Sequence, residues 1–248
     1  MASVLTGVRT FLTGRDPRAM TRHRDVQGGG SRAAVLGAGD GLLTNVSLVL
    51  GVAGASAGPS TVRLAGVAGL LAGAFSMGAG ELVSVRAQHE LTQRELQVER
   101  EELRDEPEAE RRELAGMFRA RGLSAEDAET VSRILSTNDA VALDTHARME
   151  LGIDPTASGA AERAMVISFL SFSAGAILPL FPWFFTRGTA AVVASVVIGA
   201  VAALGLGALI GVLAGRSMPR TALRQLLVAT VAAGITFGVG HLLGVSTT

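Results

Sequence analysis

The sequence predicts an all-α integral membrane protein of five transmembrane helices, with a cytoplasmic helical metal-binding domain inserted between the second and third. Three observations carry this. Apolar residues make up 48% of the 248, and mean hydropathy is +0.41. Charged residues are only 18%, against about 25% in ordinary soluble domains. The charge is also segregated: all but three of the 22 acidic residues lie between Glu81 and Glu162. A soluble chain of this length would spread them, so the segregation is a membrane pattern.

A bilayer core takes about 20 apolar residues in a helix. Five windows qualify: 33–55, 62–85, 164–185, 190–214 and 226–245. Gly58-Pro59-Ser60 separates the first two, Arg187-Gly188 the third and fourth, and the stretch 216–224, with Pro219, the last two. Pro179 and Pro182 are expected to kink or end the third span. Trp183 and its neighbouring Phe residues fit an interfacial belt. Small residues recur four apart at Gly37/Gly41, Gly69/Gly73, Gly207/Gly211/Gly215 and Gly234/Gly238, a spacing that permits close helix contact. The expected division is therefore a tail at 1–32, spans at 33–85, an inserted domain at 86–160 and spans at 161–248.

Orientation follows from arginine, the only basic residue besides histidine. The N-terminal stretch (Arg9, Arg15, Arg18, Arg22, Arg24), the insert and the loop with Arg216, Arg220 and Arg224 are Arg-rich. The opposite loops hold only Arg63 and Arg187. The positive-inside rule then places the N-terminus and insert in the cytoplasm and the C-terminus on the far side. The basic N-terminal stretch reads as a cytoplasmic tail rather than a transit peptide. Zero net charge offers no field for nucleic acid. Absent cysteine excludes disulfides, iron–sulfur clusters and thiolate metal sites.

The insert reads as four helices. The first continues from the second span to about Glu106, where Pro107 interrupts it. The second covers 108–121, with Gly122 as its stop. Ser124 caps a third, with Asp127 three residues on. A fourth starts near Asn138 and ends before Gly152. On a helical wheel of about 100° per residue, Glu95, Glu102 and Glu106 fall within roughly 60° of Glu99. Leu96 and Leu103 flank this stripe on one side, Leu91 and Val98 on the other. Arg86, Arg94, Arg100 and Arg104 lie opposite. Glu110, Glu113, Leu114 and Met117 share a face of the second insert helix. A charged helix face is ordinarily just solvated. Carboxylates in the middle of an apolar arc, with the arginines turned away, instead call for a cation. Oxygen ligands from two or more helices suit Fe²⁺, Mn²⁺ or similar ions. No Glu-x-x-His occurs, so this is not a ferritin-type di-iron bundle.

Ionisable groups within spans are expensive and usually functional. Asp40 lies about two turns into the first span and Glu81 about one turn from the end of the second. The spans run antiparallel, so both acids fall in the same leaflet. Met77 is one turn deeper than Glu81 on the same face. Asn45, with Thr44 and Ser47, continues a polar track along the first span. Two acids and a thioether make a candidate entrance for a borderline cation. The plainer alternatives are an interfacial Glu81 and an Asp40 paired with Arg32. His241 sits late in the fifth span, near the far surface.

These residues also carry a resemblance. Gly39-Asp40-Gly41-Leu42 with Leu48-Val49-Leu50-Gly51-Val52-Ala53-Gly54, and Ser76-Met77-Gly78-Ala79-Gly80-Glu81, resemble the first two spans of the vacuolar iron transporter family. The insert is similar too: Glu99-x-x-Glu102, Pro107, Glu110-x-x-Glu113, Gly122-Leu123, Leu143-Asp144 and Glu150-Leu151-Gly152. The resemblance runs from about Ala33 to the C-terminus and is weakest in the last two spans. It implies a homodimer that exchanges Fe²⁺ or Mn²⁺ for protons along a path between protomers. It also implies that Glu99, Glu102, Glu110, Glu113 and Glu150 form the metal site, with Asp40 and Met77 in the translocation path. The family often has two methionines before the last glutamate. Here those positions are His146, which offers a nitrogen ligand, and Ala147, which offers none. Bacterial members sit in the cell membrane, eukaryotic ones in the vacuolar membrane.

The functional expectation is export of a divalent metal from the cytoplasm by proton antiport, with no prosthetic group. The insert would capture the ion, and protons would displace it from Asp40 and Glu81. The alternative is a membrane-anchored metal sensor or store that does not transport. No nucleophile–base constellation or phosphate loop supports an enzyme.

Overall fold

A computed structural model describes residues 29–155 and 161–245; the expectations for the N-terminal tail lie outside these residues. Every regular element in them is helical. In chain order these are α1 (Gly29–Gly54), α2 (Pro59–Asp105), α3 (Pro107–Ala120), α4 (Ala125–Leu135), α5 (Asp139–Met149), α6 (Ala161–Leu180), α7 (Gly188–Leu213) and α8 (Met218–Val245). A 3₁₀ turn, Phe181–Phe184, follows α6. Five helices are long and apolar enough to cross a membrane: α1, α2, α6 with its 3₁₀ turn, α7 and α8. Contacts divide the chain into two compact units, one containing residues 86–159 and the other 25–85 with 160–248.

In the spanning unit, α1 is the shared partner, and glycine sets how close its neighbours come. A Cβ on Gly41 would strike the Phe172 carbonyl of α6, and one on Gly175 would strike the Ala38 carbonyl of α1. On α8, Gly240 and Gly244 lie against the backbone of Gly51 and Ala55. The backbone approach there falls on 240/244 rather than on the expected pair Gly234/Gly238, which have nothing within 4 Å of an added Cβ. Six residues along a helix turn the face by about 240°, so only one of the two pairs can meet α1. Gly207 and Gly211 of α7 pack on Thr221, Ala222 and Met218 of α8. On α2 the tightest glycine contacts are with side chains, Gly73 against the Phe172 ring and Gly66 against Leu180.

Two further expectations are corrected, at the start of the last helix and at Trp183. The last helix begins at Met218, not near residue 226, because Pro219 sits in its first turn, where no backbone donor is lost. Arg220 and Arg224 therefore ride on a helix. Pro179 and Pro182 do mark the end of the third span: α6 stops at Leu180, and the 3₁₀ turn with Pro182 closes it. Trp183 is not interfacial. It is 3% exposed and packs with Val49, Val62, Leu180 and Ala191. Its indole N–H donates to Ser195 Oγ at 2.9 Å, and that hydroxyl donates to the Pro179 carbonyl at 2.7 Å. Phe181, Phe184 and Phe185 remain exposed, as do Val193, Val197, Val201, Val231 and Ile235. Apolar surface this extensive is a liability in water and the matching surface in lipid.

The second unit is built on a small core of Leu114, Ala115, Phe118, Ala128 and Leu135. Its helices start and stop where their caps dictate. Pro107 occupies the first turn of α3. Ser124 Oγ accepts the Asp127 N–H at the start of α4. Asn138 Oδ1 accepts from Ala140 and Val141 at the start of α5. Gly152, at φ 65°, turns the chain after α5, and the Ile153 N–H returns to the Ala147 carbonyl at 2.8 Å.

Candidate metal centre

The corner at Pro107 sets the site. It ends α2 one turn and a half beyond Glu99 and starts α3 just before Glu110, so the two carboxylates face one another across the bend. The third wall is α5, where His146 and Glu150 are four apart and share a face. Ligand atoms of Glu99, Glu110, His146 and Glu150 all lie within 4.8 Å of one another. From His146 Nδ1 the carboxylate oxygens stand at 3.0 Å (Glu99 Oε1), 3.3 Å (Glu150 Oε2) and 3.6 Å (Glu110 Oε2). Metal–ligand bonds of about 2.1 Å put neighbouring ligand atoms roughly 3.0–3.5 Å apart in octahedral or tetrahedral shells. The spacing here is of that size.

The electrostatics point the same way. His146 is fully buried and Glu99 is 2% exposed, while Glu110 is half-buried and Glu150 faces solvent. The site is thus closed at Glu99 and open at Glu150. Burial, and then the charges of Glu150, Glu110, Glu102 and Glu113, push the Glu99 carboxyl up to about 7. Burial also raises Glu110, opposed by His146. One proton on Nδ1 cannot satisfy three carboxylate oxygens. Glu99 Oε1 stands 3.0 Å from His146 Nδ1 but outside hydrogen-bond geometry, and His146 Nε2 is buried with no partner among the described residues. A divalent cation among three carboxylates and an imidazole would offset that repulsion, and the oxygen–nitrogen set suits first-row ions such as Fe²⁺.

Of the six residues expected to bind metal, the structure brings these four together. Glu102 and Glu113 are exposed and lie outside the group; they act on Glu99 through charge. Nor is the whole glutamate stripe buried. Glu95, Glu102 and Glu106 are exposed and only Glu99 is inside, because the apolar packing against this helix covers a narrower arc than the wheel suggests. Sequence reasoning passed over the braces of Glu150. Arg148 binds both oxygens of Asp144 at 3.0 and 3.1 Å and reaches Asp154 at 2.7 Å. Arg121 donates to the Met149 carbonyl at 3.2 Å. The i,i+4 spacing of Asp144 and Arg148 was the available signal.

The four residues expected along a translocation path lie on α1 and α2. Asp40 is exposed and Glu81 half-buried, and neither belongs to a group of three or more His, Cys, Asp or Glu among the described residues. Met77 packs against the cluster of Ala74, Phe172 and Ala176. Asn45 is fully buried; its Nδ2 donates to the Ala176 carbonyl at 2.6 Å, and its Oδ1 has no partner among the described residues.

Comparison with known proteins agrees with this architecture. The VIT family model matches residues 31–241. The chain is 32% identical to vacuolar iron transporter 1 of Arabidopsis thaliana over 208 residues, covering 83% of each chain. It is 35% identical over 231 residues to a vacuolar iron transporter of Acanthamoeba castellanii, covering 89% of this chain and 82% of the relative. A vacuolar iron transporter of Centaurea cyanus is 30% identical over 225 residues, covering 89% and 91%. These relatives are transporters, not enzymes. With five apolar helices and a family match across most of its length, this multi-pass membrane protein belongs to the VIT family.

Proposed function

We propose that the chain moves Fe²⁺ out of the cytoplasm in exchange for protons, with Mn²⁺ as the next cation suited to the same ligands. The observation that carries this reading is the convergence of Glu99, Glu110, His146 and Glu150 on one point. The relatives' names supply the metal and the process. In this reading residues 86–160 are cytoplasmic, the C-terminus lies on the far side, and the protein works as a homodimer in the cell membrane or the vacuolar membrane according to its host. Glu99, Glu110, His146 and Glu150 capture the ion, while Glu102 and Glu113 raise its local concentration by charge. Asp40 and Glu81, with Met77 and Asn45 on the same two helices, take it through the membrane. Both acids bind metal only when ionised, so a proton arriving from the far side displaces the ion.

The test is reconstitution into liposomes with a controlled pH gradient. Uptake of Fe²⁺ should require an acidic lumen and should be lost in Asp40→Ala, while metal binding by the helical unit persists. Uptake indifferent to pH, or unchanged in Asp40→Ala, overturns the mechanism. A second reading is a membrane-anchored metal store or sensor. Metal binding without flux would establish it.

A further inference from the structure

The corner between α7 and α8 carries a feature that metal transport does not use. Ala214, Gly215, Arg216, Ser217, Arg220, Thr221 and Arg224 line a concavity of about 520 Å³. That volume lies within the ~300–1,000 Å³ of small-ligand clefts. Arg216, Arg220 and Arg224 are spaced four apart, on one side of the corner and the first turns of α8. All three are exposed, and none forms an ion pair or side-chain hydrogen bond among the described residues. No carboxylate follows Glu162 in the sequence, so this end of the chain supplies no counter-charge.

The corner is also tied by backbone contacts. Gly215 takes φ 62°, and the Arg216 N–H closes back on the Gly211 carbonyl at 2.8 Å. Thr221 is 6% exposed, packs against Gly207 and Gly211, and ties its hydroxyl to the carbonyls of Ser217 and Met218. Three guanidiniums with no ion pair among the described residues therefore line one hollow at this corner. The helices that meet there are two of the membrane-spanning set, so the hollow lies where the apolar spans end. A guanidinium cluster at that depth matches the phosphate of a lipid headgroup, bound by paired N–H···O contacts.

We infer that this hollow is a binding site for the phosphate headgroup of an anionic phospholipid, held by Arg216, Arg220 and Arg224. Acyl chains of such a lipid would lie along the exposed aliphatics of α7 and α8, including Leu209, Val212 and Leu223. A zwitterionic headgroup would bring its own cation into the cluster and bind less well.

The full-length protein in nanodiscs of phosphatidylcholine doped with phosphatidylglycerol provides the test. Retention of each lipid would be read by native mass spectrometry after transfer to detergent. The wild type should retain phosphatidylglycerol over phosphatidylcholine, and each single Arg→Gln substitution should weaken retention roughly fivefold. Because arginines at span ends also direct insertion, the single variants guard against a triple variant that misinserts. Inorganic phosphate, added at rising concentration, separates the two sources of phosphate. Little displacement of the lipid supports the headgroup site. Full displacement by millimolar phosphate, with no preference between lipids, overturns the lipid assignment. Unchanged preference in Arg216→Gln, Arg220→Gln and Arg224→Gln shows that the arginines serve orientation alone and overturns the site.

Discussion

The two units differ in whether they bury ionisable side chains. In the helical unit of residues 86–159, Glu99 is 2% exposed, faces two more carboxylates, and has one oxygen without a hydrogen-bond partner among the described residues. In the spanning unit the buried polar groups are neutral; Asn45, Ser195 and Thr221 donate to backbone carbonyls, while Ser168 Oγ has no partner among the described residues. Asn45 donates to Ala176, and Trp183 reaches Pro179 through Ser195. The acids there are not buried: Asp40 is exposed and Glu81 is half-buried. Burying like charges together raises the energy of the empty fold. Only a site that gains a cation can offset that. The contrast thus separates a unit organised around a ligand from one organised around its own packing.

The strongest way to break this contrast is Glu99→Gln. The raised carboxyl at about 7 means that the metal-free fold binds a proton that the unfolded chain, at 4.5, has lost. Metal-free stability should therefore be full below about pH 4.5 and decline as pH rises towards 7. At 1.36 kcal/mol per pH unit, the loss is about 3 kcal/mol. Hydrogen exchange over residues 86–155 should show that slope, and saturating Fe²⁺ should abolish it. In Glu99→Gln most of the slope should go, leaving the part contributed by the raised Glu110, and the metal-free unit should gain most of the 3 kcal/mol. Metal affinity should fall by more than the ~10–100-fold that loss of an outer-shell partner costs. A variant that loses stability without metal would show that Glu99 is an ordinary structural side chain.

Gly41→Ala probes the spanning unit's own rule. Its Cβ would meet the Phe172 carbonyl, which cannot move without parting α1 from α6. Overpacking of this kind costs about 1–3 kcal/mol, to be read as a lower melting temperature with metal binding intact. Ser195→Ala should be milder. It leaves the Trp183 N–H and the Pro179 carbonyl unpaired, for about 1–2 kcal/mol and a changed tryptophan emission. Gly238→Ala closes the series. Nothing stands within 4 Å of the new methyl group, so stability should change by less than about 0.5 kcal/mol. A large loss there would mean that Gly238 faces a partner rather than lipid.

Much of the fold was legible residue by residue. Pro107, Ser124 and Asn138 act at the helix ends they signal, because capping is a local negotiation between a side chain and the nearest free N–H groups. Gly37/Gly41 and Gly207/Gly211 make the close approaches their spacing suggests. The same spacing misled at Gly234/Gly238, since it does not say which face of α8 meets α1. Trp183 misled for a related reason. Its position near a span end is what an interfacial residue shows, yet the 3₁₀ turn folds it under Leu180 and beside Ser195.

Hydropathy and the segregation of charge are enough to assign five apolar helices and a charged helical segment, because solvation acts on each stretch of chain separately. The carboxylate-rich faces of α2 and α3 are visible the same way. Which carboxylates meet is a different kind of fact. Glu99 and Glu102 are one turn apart on the same helix, yet one is buried against His146 and the other is in solvent. That choice depends on the bend at Pro107, on the small core around Phe118 that presents α5, and on Arg148 and Arg121 holding the end where Glu150 sits. These are contacts between residues distant in sequence, and only the packed structure decides them.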